Sequence, residues 1–393
     1  MSVLAVSVLE DATAVLGDLI AVPTVSADSN LELIAYCAAK LDALGAKTEM
    51  TLDPSGTKAN LFATIGPEED GGIVLSGHTD VVPVEGQDWS VEPFALTRRD
   101  GRLFGRGSCD MKGFIACALA MAPRFAEADL ARPLHLALTY DEEVGCMGAK
   151  VLLQALKDSG RRPSVCLIGE PTEMRIIEGH KGCYEYSVAF KGLAGHGSDP
   201  DAGVSAVEYA VRYVSRLLEL REALKARAMP GSPFRPPFST LQIGRIAGGI
   251  AQNVIADHCH VDWEFRPVAA ADVAFLKSAI AAYAEDTLLP AMRAVHPDAD
   301  IETTVLGEVD GLEPMADSEA VRLAAALTGG NATDVVSFGT EAGLYQALGI
   351  STVVCGPGSI EQAHKADEFI AEEQMGQCLA MLERLARRLE RAA

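Results

Sequence analysis

Short apolar strands alternate with helices along the first half of this sequence. The spacing of apolar residues predicts helices near 7–21 and 29–45, and strands near 59–65, 72–77 and 133–140. Such alternation is typical of a mostly parallel sheet that is covered by helices. The first half of the chain is therefore predicted to adopt an α/β fold.

The pattern changes in the middle of the chain. Here we expect strands near 184–191, 238–247 and 257–266, together with helices across 202–227 and 271–293. Two helices with separate strands fit a small α+β insert rather than a continuation of the parallel sheet.

Strand and helix candidates return beyond residue 310, and 393 residues are more than one hydrophobic core usually fills. We therefore expect a discontinuous catalytic domain formed by residues 1–180 and 311–393, interrupted by an inserted lid at 181–310. The predicted fold class is α/β, with a mixed, mostly parallel sheet flanked by helices and an α+β insert.

The charge of the chain limits its partners. It carries 33 basic and 55 acidic residues, for a formal net charge of −22. This charge repels polyanions, so neither nucleic acid nor an anionic membrane surface is an expected partner.

The cysteines and the apolar segments favour a cytoplasmic protein. The nine cysteines form no CxxC pair, which is typical of reduced thiols rather than a disulfide framework. Glu10, Asp11 and Asp18 interrupt the first apolar stretch, so we expect an amphipathic helix there and not a secretion signal. No apolar run reaches membrane-spanning length.

The first candidate metal ligands lie in the segments SGHTD and GSCDMKG. His78 follows the apolar run 73–75 and precedes Asp80 by two residues, which places an imidazole at a strand end beside a carboxylate that can hold its second ring nitrogen. Asp110 lies in a glycine-bounded loop and can lend one carboxylate oxygen to each of two metal ions.

Further acidic residues and a second histidine follow other apolar segments. Glu142 and Glu143 come after a predicted strand and can divide ligation and proton transfer between them. In open α/β sheets, ligands gather beyond the carboxyl ends of the strands. Each of two metals would then have one histidine, one terminal carboxylate and the shared aspartate, with a position left for water. The candidate ligands are His78, Asp110, Glu143, Glu170 and His364.

These motifs together resemble the dinuclear zinc amidohydrolases, the family of acetylornithine deacetylases, succinyl-diaminopimelate desuccinylases and aminoacyl carboxypeptidases. The resemblance covers nearly the whole chain. Its motifs are SGHTDVVPV at 76–84, GRGSCDMKG at 105–113, YDEEVGC at 140–146, GEPT at 169–172 and GPG…AH at 356–364. The form DEEVGC and the later SFGTEAG are closest to the acetylornithine deacetylase branch.

The resemblance implies a zinc-exopeptidase-like catalytic domain with two Zn²⁺ ions per subunit, for which Co²⁺ can substitute. It places His78, Asp110 and Glu170 on one zinc, and Asp110, Glu143 and His364 on the other. Asp80 would orient His78. Glu142 would be the general base that takes a proton from a metal-bound water and returns it to the leaving amine.

The resemblance also implies functional residues on the insert, which would serve for dimerisation as well as for closure of the site. His196 matches a histidine that reaches into the active site of a partner subunit and supports the oxyanion. Asn253 and Arg266 match positions that contact the polar end of the substrate, and an arginine suits an α-carboxylate. The expected partners are a small N-acyl amino acid and a second copy of the chain.

Each residue also has a purely structural interpretation. Asp110 can form a turn, Glu170 can cap a helix, and paired glutamates often form a solvated turn. His258 and His260 share one face of a predicted strand and are best read as a strand surface. Glu341 either receives a substrate ammonium or is a surface acid.

Several functions stay open at this stage. The first prediction is hydrolysis of N-acetyl-L-ornithine to L-ornithine and acetate, a step of arginine biosynthesis. A related N-acyl-amino-acid hydrolase, such as a succinyl-diaminopimelate desuccinylase, an acetylcitrulline deacetylase or a carboxypeptidase, is the first alternative. A non-catalytic metal-binding homologue is the second, and Glu142 argues against it because binding alone needs no free base.

Overall fold

A computed structural model describes residues 3–391 of the chain. These residues form two compact units. The first contains the chain up to Gly179, Pro314–Val335 and the residues from Thr340 onwards, and the second contains His180–Glu313 and Val336–Gly339. The domain boundaries given above, and the role of the insert as a lid, stay predictions.

The helices and strands up to residue 180 are α1 (Val3–Ile20), α2 (Leu31–Asp42), β1 (Lys47–Leu52), β2 (Ala59–Ile65), β3 (Ile73–His78), β4 (Thr97–Arg99), β5 (Arg102–Phe104), α3 (Gly113–Ala126), β6 (Leu134–Thr139), α4 (Met147–Ser159), β7 (Val165–Pro171) and β8 (Ile176–His180). The middle of the chain forms β9 (Cys183–Lys191), β10 (Gly195–His196), α5 (Ala206–Ala226), β11 (Thr240–Gly248), β12 (Val254–Ile255), β13 (His258–Arg266), α6 (Ala270–Tyr283), α7 (Leu289–Arg293) and β14 (Asp300–Val309). The last part forms α8 (Glu319–Thr328), β15 (Thr333–Val336), α9 (Ala342–Ala347), β16 (Ser351–Gly356), β17 (Phe369–Ala371) and α10 (Glu372–Leu389).

An eight-stranded sheet forms the centre of the first unit, in the order β1-β2-β6-β3-β7-β16-β8-β15. The four strands β6, β3, β7 and β16 are mutually parallel, whereas β1, β2 and β8 pair antiparallel towards the edges. All residues of β2, β3, β6 and β7 are buried, which explains why these strands read as continuous apolar runs. The predicted mixed, mostly parallel sheet is confirmed.

Helices complete the core of the first unit. Apolar residues of α1, α2, α3, α8 and α10 pack with the central strands into one continuous cluster. Helix α3 is buried along almost its whole length, because α1 and α10 both pack against it. Since α3 begins three residues after Asp110, this packing fixes the position of the segment that carries this residue.

The second unit is built on an antiparallel sheet in the order β11-β13-β9-β14. Along β13, Cys259, Val261, Trp263 and Phe265 are buried and the residues between them are more exposed, as expected for a sheet with one covered face. Helix α5 packs against this sheet, and apolar residues of α5 and α6 form one buried cluster with its strands. Among residues 3–391, no helix is both long and apolar enough to span a lipid bilayer.

Two elements of the second unit differ from the sequence-based expectation. Strand β14 was not predicted, because it lies at an edge of the sheet and most of its residues are exposed, so it lacks an apolar alternation. The single helix expected over 271–293 is divided by a π-helical turn at Ala284–Leu288, just before Pro290. Proline has no N–H to continue the regular helical hydrogen bonding.

Candidate metal centre

The parallel strands bring the candidate ligands of the first unit to one edge of the sheet. His78 is the last residue of β3, Glu170 lies near the end of β7, and Glu143 follows β6 by four residues. The loops before α3 and after β16 supply Asp110 and His364. Because β6, β3, β7 and β16 are parallel neighbours, their carboxyl ends form a common rim, where ligands of α/β proteins gather.

The first set of ligands consists of His78, Asp110 and Glu170, and all three are buried. The Nε2 atom of His78 lies 3.0 Å from Oδ1 of Asp110 and 3.7 Å from Oε1 of Glu170. One nitrogen and two oxygens therefore converge on a single point, as they would around a metal ion.

The second set consists of Asp110, Glu143 and His364. The Nε2 atom of His364 lies 3.4 Å from Oδ2 of Asp110 and 3.1 Å from Oε2 of Glu143. Asp110 thus directs one carboxylate oxygen to each set. This arrangement agrees with a carboxylate that bridges two ions.

The buried carboxylates of the site resist ionisation unless positive charge lies nearby. Burial and the nearby Asp110 raise the pKa of Glu170 well above its usual value and also raise the pKa of Glu143. Hydrogen bonds with Asp110 and Glu143 raise the pKa of His364 to about 10. Burial opposes protonation of His78, but its hydrogen bond with Asp110 and nearby carboxylates raise its pKa well above the usual value.

The donor set fits divalent cations. Imidazole nitrogen with carboxylate oxygen suits borderline ions such as Zn²⁺, and two cations would offset the charge of the buried carboxylates. Within the described part of the chain, these two sets are the groups of three or more potential ligands that converge, and they share Asp110. The protein therefore contains a candidate metal site for two ions.

The carboxylate of Asp80 makes contacts in addition to the one with His78 that the sequence predicted. The Nδ1 atom of His78 lies 2.9 Å from the backbone oxygen of Asp80 but 3.6 Å from its carboxylate. That carboxylate also accepts hydrogen bonds from the hydroxyl of Ser26 at 2.7 Å and from the backbone N–H groups of Glu142 at 3.0 Å and Glu143 at 3.3 Å. Asp80 thus contacts His78 through its backbone oxygen and, at a longer distance, through its carboxylate, which also holds the loop with the two glutamates. Its role in orienting His78 stays a prediction.

Glu142 lies beside the two ligand sets and belongs to neither. The thiol of Cys146 donates a hydrogen bond to its Oε1 at 3.5 Å. Burial and the charge of Glu143 raise the pKa of Glu142 to about 8, although His78 acts in the opposite direction. A carboxyl group with these properties can take up and release a proton near neutral pH.

Two of the candidate residues on the second unit lie side by side. His196, on β10, pairs with Val254 of β12, and the N–H of Gly197 donates to the backbone oxygen of Asn253 at 2.8 Å. The N–H of Ser198 donates to Nδ1 of His196 at 3.2 Å. In the neutral ring the proton must then sit on Nε2, which leaves this atom as a hydrogen-bond donor.

Arg266 lies away from that pair. It is the last residue of β13, whereas Asn253 precedes the first residue of this strand, His258. A strand of this length spans about 27 Å at roughly 3.4 Å per residue. The guanidinium of Arg266 donates to Oε2 of Glu264 from Nε at 3.2 Å and from Nη2 at 3.1 Å.

Two buried acids lie near the ligands, and the sequence reading missed one of them, Glu368. Glu341 is 1% exposed and accepts hydrogen bonds from the hydroxyl groups of Ser76 and Thr139, so it is not a surface acid. Glu368 is also 1% exposed and is paired with Arg106. The signal for Glu368 was its place four residues after His364, in the same polar segment.

The sequence is similar to those of known deacetylases. It is 37% identical over 376 residues to the acetylornithine deacetylase of Myxococcus xanthus, covering 94% of this chain and 95% of that protein. It is 36% identical over 375 residues to the acetylornithine deacetylase of Proteus mirabilis, covering 92% and 94%. The protein is thus a hydrolase that acts on amide bonds.

Solved structures share the fold. Aminopeptidase PepT from Bacillus cereus has a TM-score of 0.71 at 19% identity, covering 97% of this chain and 98% of that one. The YXEP protein of Bacillus subtilis, a dinuclear metal binding peptidase, has a TM-score of 0.62 at 17% identity, covering 98% and 99%. The model of peptidase family M20/M25/M40 matches residues 74–388. The chain belongs to this family, and the resemblance drawn from its motifs is confirmed.

Proposed function

We propose that this protein hydrolyses N-acetyl-L-ornithine to L-ornithine and acetate, with two zinc ions held by the two ligand sets. The observation that carries this proposal is the arrangement around Asp110, whose two oxygens face different histidines, with Glu142 beside both sets as a free carboxyl group. The dinuclear site described for the Bacillus subtilis protein supports the number of ions.

When bound, two divalent ions would lower the pKa of a water molecule and polarise the carbonyl group of the amide. Zinc suits the ligands, and cobalt can occupy similar sites. The residues of the first set would be His78, Asp110 and Glu170, and those of the second Asp110, Glu143 and His364.

Glu142 would serve as the general base. It takes a proton from the attacking water and later gives it to the leaving nitrogen, which makes the amine a better leaving group. The hydrogen bonds from the backbone of Glu142 and Glu143 to Asp80 keep this carboxyl group close to the ligands. A glutamate that also bound a metal would carry protons less readily, and Glu142 is a member of neither ligand set.

His196, Asn253 and Arg266 would bind the substrate. With its proton on Nε2, His196 can donate to the oxygen of the scissile carbonyl as negative charge develops there. The guanidinium of Arg266 can bind an α-carboxylate through two parallel hydrogen bonds, which would replace its present contact with Glu264.

These residues support a homodimer. His196 and Asn253 lie together and precede β13 along the chain, whereas Arg266 is the last residue of this strand, which is about 27 Å long. An N-acyl amino acid is much shorter than this strand, so in this proposal one subunit does not bring all three residues to the same substrate. We propose that His196 and Asn253 complete the active site of the partner subunit, while Arg266 binds substrate at a different active site from these two residues.

A complementation experiment tests this arrangement. His196→Ala and Glu142→Gln homodimers should each be nearly inactive, but mixed dimers should regain activity, because one of their two sites then combines an intact Glu142 with an intact His196. Absence of recovery after subunit exchange, verified by mass spectrometry of the mixed dimer, would mean that each site uses its own His196.

The substrate assignment rests on similarity. The relatives from Myxococcus xanthus and Proteus mirabilis are acetylornithine deacetylases, and the motif DEEVGC agrees with that branch. A role in arginine biosynthesis would follow from this activity. A cytoplasmic location stays a prediction that rests on the pattern of cysteines.

A substrate panel tests the proposed activity. Metal-loaded protein should hydrolyse N-acetylornithine faster than N-acetylcitrulline, N-acetylmethionine or N-succinyl-diaminopimelate, and a chelator should abolish turnover. Glu142→Gln, loaded in the same way, is the control for contaminating hydrolases. Preference for another substrate would assign the protein to a sister activity.

A further inference from the structure

The loop that carries Asp110 is held by the carboxylate of Glu368. Its Oε1 accepts hydrogen bonds from the backbone N–H groups of Cys109 at 2.9 Å and Asp110 at 3.1 Å. Its Oε2 accepts from the N–H of Gly107 at 3.0 Å. Three backbone N–H groups between Gly107 and Asp110 thus donate to one carboxylate. This carboxylate therefore fixes the backbone of Asp110 itself.

A buried ion pair extends this contact. Nη1 of Arg106 lies 2.7 Å from Oε2 of Glu368, and both side chains are only 1% exposed. Nη2 of Arg106 donates to Oε1 of Gln87 at 2.5 Å. Loss of either charge would leave the other one buried without compensation, so these groups depend on each other.

Gln87 connects the same network to His364. Its Nε2 donates to the backbone oxygen of His364 at 3.0 Å, while Trp89 Nε1 donates to its Oε1 at 3.1 Å. His364 has a φ of 63° and Asp367 a φ of 55°, backbone conformations that cost free energy in residues other than glycine. The surrounding hydrogen bonds must therefore keep this loop in place.

We infer that Glu368 is a positioning residue for the second metal, acting with Arg106 and Gln87 to hold Asp110 and His364 in register. This inference rests on the ligand sets of the proposed function. His78 and Glu170 lie on β3 and β7, outside the loops that this network holds. The network should therefore matter more for the second metal than for the first.

Glu368→Gln removes the negative charge that accepts from the three N–H groups and pairs with Arg106, with little change in side-chain volume. The amide keeps one accepting oxygen and turns the other into a donor that faces N–H groups. Groups that orient metal ligands typically contribute about 10- to 100-fold to metal affinity. We expect the second metal to be weakened by about this factor. The first metal should be weakened less, because it shares Asp110 but takes its other two ligands from β3 and β7.

The experiment is a titration of metal-free protein with Co²⁺, followed by calorimetry and by the visible absorption of the bound ion. Asp272→Asn is the matched control. Asp272 is a buried carboxylate of the second unit that accepts from Nε of Arg227 at 2.6 Å and from the hydroxyl of Ser239 at 2.6 Å. This variant should bind both ions as the wild type does.

The outcomes separate this inference from the proposed function. If the wild type fails to bind two ions, the proposed function is wrong. If the wild type binds two and Glu368→Gln binds both with unchanged affinity, or loses both equally, the inference is overturned, even where the variant unfolds at a lower temperature. If Glu368→Gln does not fold, Gln87→Ala decides, since it removes the side-chain contacts of Gln87 to Arg106, His364 and Trp89 and leaves the buried ion pair in place. It should weaken the second metal alone, and unchanged affinity would overturn the inference.

Discussion

The two ligand sets of the candidate centre differ in how the chain supports them. In the first set, His78 and Glu170 belong to neighbouring strands, and their side chains are 1% and 6% exposed. In the second set, His364 lies in a loop and its side chain is 52% exposed. The sheet thus fixes one set through its own hydrogen bonds, whereas the other depends on side chains that tie two loops together. We expect the first position to be the tighter and more rigid of the two.

Removal of the shared ligand, Asp110, should affect both ligand sets alike. Asp110→Ala takes one oxygen from each set, so both ions should be released and activity should fall below detection. Elemental analysis after gel filtration measures the metal content. Glu69→Ala, at an exposed acid after β2, is the control and should retain both ions. Unchanged metal content in Asp110→Ala would contradict the bridging role.

Removal of the proton carrier should affect neither set. Glu142→Gln should keep both ions, because Glu142 belongs to neither group of ligands. Turnover should nevertheless fall by about 10²- to 10⁴-fold, the usual contribution of general acid–base catalysis. Steady-state kinetics and metal analysis on the same preparation check both parts. Retained activity, or loss of an ion, would assign the base to another group.

Removal of one histidine from each set tests the comparison directly. Metal-free wild type should bind Co²⁺ in two steps, the tighter one at the first set. His364→Ala should lose the weaker step alone, since His78, Asp110 and Glu170 remain as ligands. His78→Ala should lose the tighter step. If His364→Ala lost the tighter step instead, exposure and loop support would not determine the order of affinity.

The positions of His78 and Glu170 could be predicted from the sequence, whereas the side chains that hold the loops of the second set could not. His78 and Glu170 follow apolar strands, and a strand end in a parallel sheet determines where a side chain lies. Glu368 and Arg106, by contrast, are 262 residues apart in the chain. No local pattern indicates that they meet, and this contact was found only in the folded structure.

Similar limits apply to Asp80 and to strand β14. The spacing of His78 and Asp80 indicated that they are neighbours, but it did not reveal that the Asp80 carboxylate binds the backbone of Glu142 and Glu143. Competition among several nearby donors decides such a choice, and the donors come from another strand end. Strand β14 was missed because an exposed edge strand needs no apolar alternation.

The smallest predicted effect concerns the stability of the metal-free protein. Folding raises the pKa of Glu142 from 4.5 to about 8 and also raises that of Glu170, mainly through burial. A carboxyl group with a raised pKa binds its proton more tightly in the folded than in the unfolded state, so its contribution to stability is lost as pH rises. His364, raised from 6.5 to about 10, acts in the same direction over its own range. Between pH 5 and 8 these three groups should therefore lower the stability of the metal-free protein, on the order of 2 kcal/mol after allowance for solvent screening. The buried His135 and His180, whose pKa burial lowers to about 4, act in the opposite direction below about pH 6.5, with or without metal.

Bound cations should remove most of this dependence, because they replace protons as the positive charge among the carboxylates. Thermal unfolding of metal-free and zinc-loaded protein across pH 5 to 8 measures the difference, which should grow with pH. In Glu142→Gln the metal-free protein should lose less stability over the same range, since its amide does not titrate. If the metal-free protein instead became more stable as pH rose, other groups of the folded protein would already stabilise the ionised carboxylates. A cation would then not be needed to offset their charge, and the electrostatic argument for two ions at this site would fail.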